Sequence, residues 1–116
     1  MGACSRCAWS AYASDSLTIT ASTDDPGRRE EELASVVPRD SRQPYDMRRA
    51  LELIADRGSV FEVGRRFGPS LITALARLDG RPVGVLASDP KHYGGGLTAE
   101  ASDKLGRFVD ICDAFR

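Results

Sequence analysis

Two apolar runs hinged on one Asp-Gly pair constrain this chain more than any other feature. Leu71 to Leu78 (LITALARL) and Arg81 to Ala87 (RPVGVLA) meet at Asp79-Gly80. A two-residue Asp-Gly loop is the mark of a type I′ turn, whose twist matches that of the strands it joins. The runs therefore predict a β-hairpin, and Pro82 is tolerated near the start of its second strand. DPKHYGGGL follows and leads into TAEASDKLGRFVDICDAF. There Ala101, Leu105, Phe108, Val109, Cys112 and Phe115 recur on one face at helical spacing, with Glu100, Asp103, Lys104, Arg107 and Asp110 on the remainder. Thr98 is placed to cap this helix, its hydroxyl accepting from first-turn N–H groups. Gly94, Gly95 and Gly96 lie between strand and helix, where backbone amides are able to crowd around an anionic or polarised oxygen. Strand, glycine loop and helix N-terminus together predict a binding edge.

Upstream, Asp46 caps a helix with Met47, Ala50, Leu51 and Ile54 on one face and Gly58 at its end. Ser59 to Val63 alternates as a strand, and Gly64 to Ser70 (GRRFGPS) is a turn. The order is α, β, β-hairpin, glycine loop, α, an α/β arrangement. Before it come a short apolar patch at Leu33 to Val37, the extended RDSRQPY and a charged turn or linker at Asp24 to Glu32. SLTIT (Ser16 to Thr20) alternates as a short strand. The chain divides into residues 1–31, a poorly ordered N-terminal segment and linker, and residues 32–116, the folded part. About three strands with two helices leave sheet edges and faces uncovered, so an incomplete domain is expected. Exposed strand surface over Leu71 to Ala87 would make the isolated chain an oligomer or aggregation-prone.

With 116 residues the chain makes one small domain, and its net charge of −1 supplies no long-range field for nucleic acid or an anionic membrane. The arginine pairs 28–29, 48–49 and 65–66 each have acidic neighbours, which reads as solvated faces. No run approaches the roughly 18 apolar residues of a membrane span, and no secretory signal opens the chain. Three cysteines form no disulfide framework, so a reducing, cytoplasmic setting fits. Cys4 and Cys7 form a CxxC, but His92 and Cys112 are not spaced as a second ligand pair, and no βαβ unit follows for a redox motif. No metal is expected on this segment.

Three segments carry a resemblance: VVPRDSRQPYDMRRALELIAD, FEVGRRFGPSLITALARLDGRPVGVLAS and GGGLTAEASDKLGRFVDICDAF. From about Glu32 to Arg116 the chain resembles the start of the C-terminal half of the carboxyltransferase (β) subunit of biotin-dependent acyl-CoA carboxylases of the propionyl-, acetyl- and methylcrotonyl-CoA type. The most specific parts are PRDSRQPYD and GxLxxxASDKxxRFxxxCDxF. Residues 1 to 23 show no such match. The resemblance implies a partial ClpP/crotonase-like fold of repeated ββα units. It also implies transfer of a carboxyl group from carboxybiotin, borne on a carrier domain, to an acyl-CoA. Catalysis would rest on backbone N–H donors aimed at an enolate-like oxygen. Biotin carboxylase, the biotin carrier and further carboxyltransferase subunits are the implied partners. Gly94, Gly95, Gly96, Leu97 and Thr98 match the loop and helix start bordering the biotin side, and no catalytic side chain is assigned. The acyl-CoA half and the second glycine pair of such a site lie outside this sequence, so the chain alone is expected to be inactive. The alternative is a non-catalytic remnant, or a half-subunit completed by a separate chain.

His92 beside the glycine loop is open to a general-base role or to that of a solvated histidine, and the resemblance favours the second. Cys112 reads as core. Asp103 and Lys104 match the resemblance, yet at a helix start they also serve the dipole and ion pairing. Arg65 and Arg66 are open to CoA phosphates or to an exposed turn. Tyr45 and Trp9 carry no assignable chemistry.

Overall fold

The computed structural model describes residues 22, 24, 25 and 27–114. The Cys4/Cys7 pair, the strand expected at Ser16 to Thr20, and Phe115 lie outside the described residues. The elements in order are α1 (Leu33–Val36), α2 (Met47–Ile54), β1 (Phe61–Val63), β2 (Leu71–Leu78), β3 (Arg81–Ser88), a 3-10 turn (Tyr93–Gly95) and α3 (Ala99–Ala114). The three strands form one antiparallel sheet in the order β1-β2-β3.

The hairpin forms where the sequence places it. Leu78 pairs with Arg81, and Asp79 (φ 52°) and Gly80 (φ 74°) both take the positive φ that a type I′ turn demands. The turn is braced from outside the hairpin by Asp56, whose Oδ1 accepts from Asp79 N–H at 3.0 Å and Oδ2 from Gly80 N–H at 2.8 Å. The central strand is the core of the sheet: Ile72, Ala74 and Ala76 are essentially inaccessible. The register sets Phe61, Leu75 and Gly84 side by side on one face. That face receives α3, for a Cβ on Gly84 would stand 2.8 Å from Cys112 Sγ and 3.4 Å from Phe108 Cε1. Glu62, one residue over, belongs to the opposite face and meets Arg48 of α2.

Both helices turn inward most of the face that periodicity implies, with one residue lost and one gained at its edge in each. In α3 the buried residues are Ala101, Lys104 and Phe108, whereas Val109 is half exposed. Lys104 takes the inward place because its stem packs as hydrocarbon while Nζ donates to Leu71 O at 2.6 Å. In α2, Asp46 caps as expected, its Oδ1 accepting from Arg49 N–H at 3.2 Å. Burial falls on Ala50 and Leu53, and Ile54 stands exposed. The helix also ends at Ile54, before Gly58. Periodicity marks which residues are apolar, but neighbours decide which of them are covered. Here the segment before α1 docks under the end of α2, where Arg28 Nη2 donates to Leu53 O at 2.9 Å and Ala55 O at 2.7 Å. Asp24 Oδ2 accepts from Arg57 N–H at 2.7 Å and pairs with Arg28 at 2.9 Å. The expected charged linker is thus partly a docked strap, and Arg28 is no solvated residue. The apolar patch at Leu33 becomes the one-turn helix α1, with no buried residue. The exposed apolar surface expected across both hairpin strands is confined: β2 is covered but for Leu78, and Leu86 of β3 remains 43% exposed. Among the described residues no helix is long and apolar enough to cross a membrane.

Candidate site at the open end of the hairpin

Where β3 ends, Asp89 joins three pieces of chain. Its N–H donates to Ser70 O at 2.8 Å, which extends the hairpin by one rung. Its Oδ1 accepts from Lys91 N–H at 3.0 Å and its carbonyl from His92 N–H at 3.1 Å, which turns the chain back on itself. The glycine loop follows as a tight turn, with positive φ at Tyr93 (50°), Gly94 (63°) and Gly95 (80°). Gly95 is the position where a side chain is least tolerable, because a Cβ there would lie 3.2 Å from Ser88 Cβ in a left-handed backbone. Gly95 N–H donates to His92 O at 2.9 Å and Gly96 N–H to Tyr93 O at 3.1 Å. Two of the three amides that the sequence offers to a ligand are thus committed inside the turn.

The helix beyond is held as expected: Thr98 Oγ1 accepts from Ala101 N–H at 3.2 Å and Thr98 O from Ser102 N–H at 2.9 Å. Leu97 (61%) and Tyr93 (79%) stand exposed on the rim of the turn. The first turn of α3 rests on Gly68 (φ 54°), where a Cβ would come within 2.9 Å of Ala101 Cα.

Beneath the turn lies a charge cluster that periodicity and motif did not single out. Arg48 donates from Nε and Nη2 to Glu62 at 2.9 and 2.8 Å, and from Nη1 to Asp89. Its bonds to Glu62, reinforced by Asp89, raise its pKa further and keep it a cation. The Asp89 side chain is 1% exposed and that of Glu62 14%. Lys104 of α3 has its amine pushed down chiefly by burial, with Glu62 opposing the effect and Arg48 adding to it. Lys91 Nζ reaches Asp46 Oδ2 at 2.7 Å, and this bond holds the Asp46 carboxyl below its ordinary range.

The other sequence candidates lie around this centre. His92 is half exposed, its Nε2 4.0 Å from Asp89 Oδ2. Arg65 is 72% exposed and 3.8 Å from Glu62, on the turn before β2. Cys112 faces Gly84 and burial pushes its thiol up, as suits a core cysteine. Arg48 and Asp89 had weak signals: one sits in an arginine pair, the other between an apolar strand and Pro90.

Residues 8–116 match the carboxyl transferase domain family, and the chain belongs to it. The match reaches upstream of Glu32, into the stretch that showed no resemblance. The chain is 44% identical over 92 residues to the methylmalonyl-CoA decarboxylase subunit alpha of Veillonella parvula, covering 79% of this chain and 18% of that protein. It is 42% identical over 92 residues to the propionyl-CoA carboxylase beta chain of Roseobacter denitrificans, with the same two coverages of 79% and 18%. Among solved structures, transcarboxylase 12S with methylmalonyl-coenzyme A and methylmalonic acid bound superposes with a TM-score of 0.78 at 37% identity, over 84% of this chain and 19% of that one. The chain therefore spans about a fifth of the length of these relatives.

Proposed function

We propose that this chain forms one wall of a carboxyltransferase site, in a crotonase-like ββα unit of a biotin-dependent acyl-CoA carboxylase. The observation that carries the reading is the hairpin, glycine turn and capped helix in direct succession, in a chain of this family. The relatives' names share one substrate chemistry, a CoA thioester gaining or losing a carboxyl group. Carboxybiotin, delivered by a carrier, would supply that carboxyl group. The glycine turn fits beside such a group as a surface of close approach, since no Cβ projects from residues 94–96. With Gly95 and Gly96 N–H committed internally, the turn shapes the wall, and the amides that stabilise developing charge come from elsewhere in the completed site. Biotin carboxylase, the biotin carrier and further carboxyltransferase subunits are the corresponding partners.

A chimera tests this. Residues 32–116 replace the matching stretch of a propionyl-CoA carboxylase beta chain, and carboxylation of propionyl-CoA is measured with carboxybiotin. Retained turnover is expected, while a folded, assembled chimera without turnover would overturn the reading. The 116-residue chain by itself is expected to give none. A second reading, a half-subunit completed by another polypeptide, is favoured by the β3 edge, unpaired among the described residues, and by the exposure of Leu86. Size-exclusion chromatography at micromolar concentration should show self-association that Leu86→Lys reduces.

A further inference from the structure

We propose that Asp89 and Arg48 are positioning residues that hold the glycine turn in place against the end of β3. The inference rests on the turn being a wall of the carboxyltransferase site and extends that reading to residues outside the wall. Three successive positive φ values, one of them at Tyr93, make a backbone that persists only where its surroundings over-determine it. The hydrogen bonds of Gly95 and Gly96 are internal to the turn and fix its shape, not its place on the sheet. Its place comes from Asp89. The Gly95 backbone packs on Ser88 and Asp89, and Asp89 uses its N–H, its carbonyl and both carboxylate oxygens to join Ser70, His92, Lys91 and Arg48.

A carboxylate this buried is tolerable only with a cation on it. Arg48 provides that cation and is itself locked by the two-pronged bond to Glu62 of β1. The route from sheet to turn is continuous: Glu62, Arg48, Asp89, turn. An ionised carboxylate suits the position, because Oδ1 and Oδ2 both face donors. Asparagine has a single acceptor oxygen, so one of the two donors would lose its partner.

Hydrogen exchange read by mass spectrometry on the full chain decides the matter, as the ratio of exchange in residues 89–98 to that in residues 71–78. Asp89→Ala and Arg48→Met should raise that ratio about tenfold, and Asp89→Asn by less. Leu53→Ala, a core truncation outside the cluster, should speed both segments together. An unchanged ratio in the Asp89 and Arg48 variants would overturn the proposal. Should Asp89→Ala not fold, Asp89→Asn and Arg48→Met are judged by the same ratio. This readout needs no turnover, so it stands or falls separately from the chimera assay. In an active chimera, Asp89→Asn should lower kcat about tenfold and leave the KM for propionyl-CoA unchanged; a loss confined to thermal stability would indicate a merely structural role.

Discussion

At the closed end of the β2–β3 hairpin, half-buried Asp56 receives two backbone amides of a turn whose residues already favour the shape. At the open end, Asp89 does similar work with its side chain 1% exposed, on a turn that bends through three positive φ values. The closed end needs no cation, since water and two N–H groups suffice for a carboxylate at the surface. The open end needs Arg48, because burial without a counter-charge would be prohibitive. One end is a locally encoded turn with a brace added; the other is assembled from α2, β1 and the end of β3. Substitutions at the open end should therefore cost more and reach further.

The largest effect is expected at Gly68, which lies against the first turn of α3. Gly68→Ala combines a left-handed backbone (φ 54°) with a methyl 2.9 Å from Ala101 Cα. The sum of left-handed strain and overpacking is about 3 kcal/mol. Chemical denaturation should show this as a lower midpoint with an unchanged slope; a loss below half of it would mean that α3 lifts freely from the turn.

Arg48→Met comes next. It strands Asp89 and Glu62 without their cation and should destabilise by about 2–3 kcal/mol, below the usual cost of breaking a buried pair because Arg48 keeps 24% of its side chain exposed. Asp56→Ala at the closed end removes two hydrogen bonds from a wet turn and should cost about 1 kcal/mol. The contrast between the two midpoints is the measurement. Equal losses would break the distinction between a cation-dependent end and a self-sufficient one.

How much of this was legible follows the same division. Asp79-Gly80, the two hairpin strands, the Asp46 and Thr98 caps and the existence of both long helices were readable, because turn chemistry and caps act within a few residues. The burial of Lys104 on α3 was not, because a lysine stem behaves as hydrocarbon only once Leu71 O is there to take its amine. Ile54 misled because the strap carrying Arg28 docks on the carbonyls of Leu53 and Ala55 and leaves Ile54 in solvent. Arg48 and Asp89 are 41 residues apart, and no local pattern distinguishes an arginine that will be buried from one that stays in water. The glycines were visible as a loop, and the resemblance set up the expectation of a site beside them. That two of their amides would be spent internally depends on the φ values, which glycine permits and does not dictate.

The smallest effect concerns the outer tether of the open end, Lys91 on Asp46, and it appears as a pH dependence. Asp46 both caps α2 and accepts from Lys91 Nζ at 2.7 Å, and the Lys91 bond is the main cause of its lowered pKa. A carboxyl whose folded pKa lies below its ordinary value of 3.8 contributes stability that is present above that value and is lost as pH falls through the folded pKa. Asp46→Asn keeps a capping oxygen but removes the charge. At pH 7 and low salt the native chain should therefore melt slightly above the variant. That margin should shrink below pH 3.8 and close once Asp46 is protonated in the fold. Both partners are about half exposed, so salt should narrow the margin at neutral pH as well. A margin constant from pH 7 to pH 2 would mean that the cap alone holds this end of α2 and that the glycine turn hangs on Asp89 and Arg48 without the outer tether.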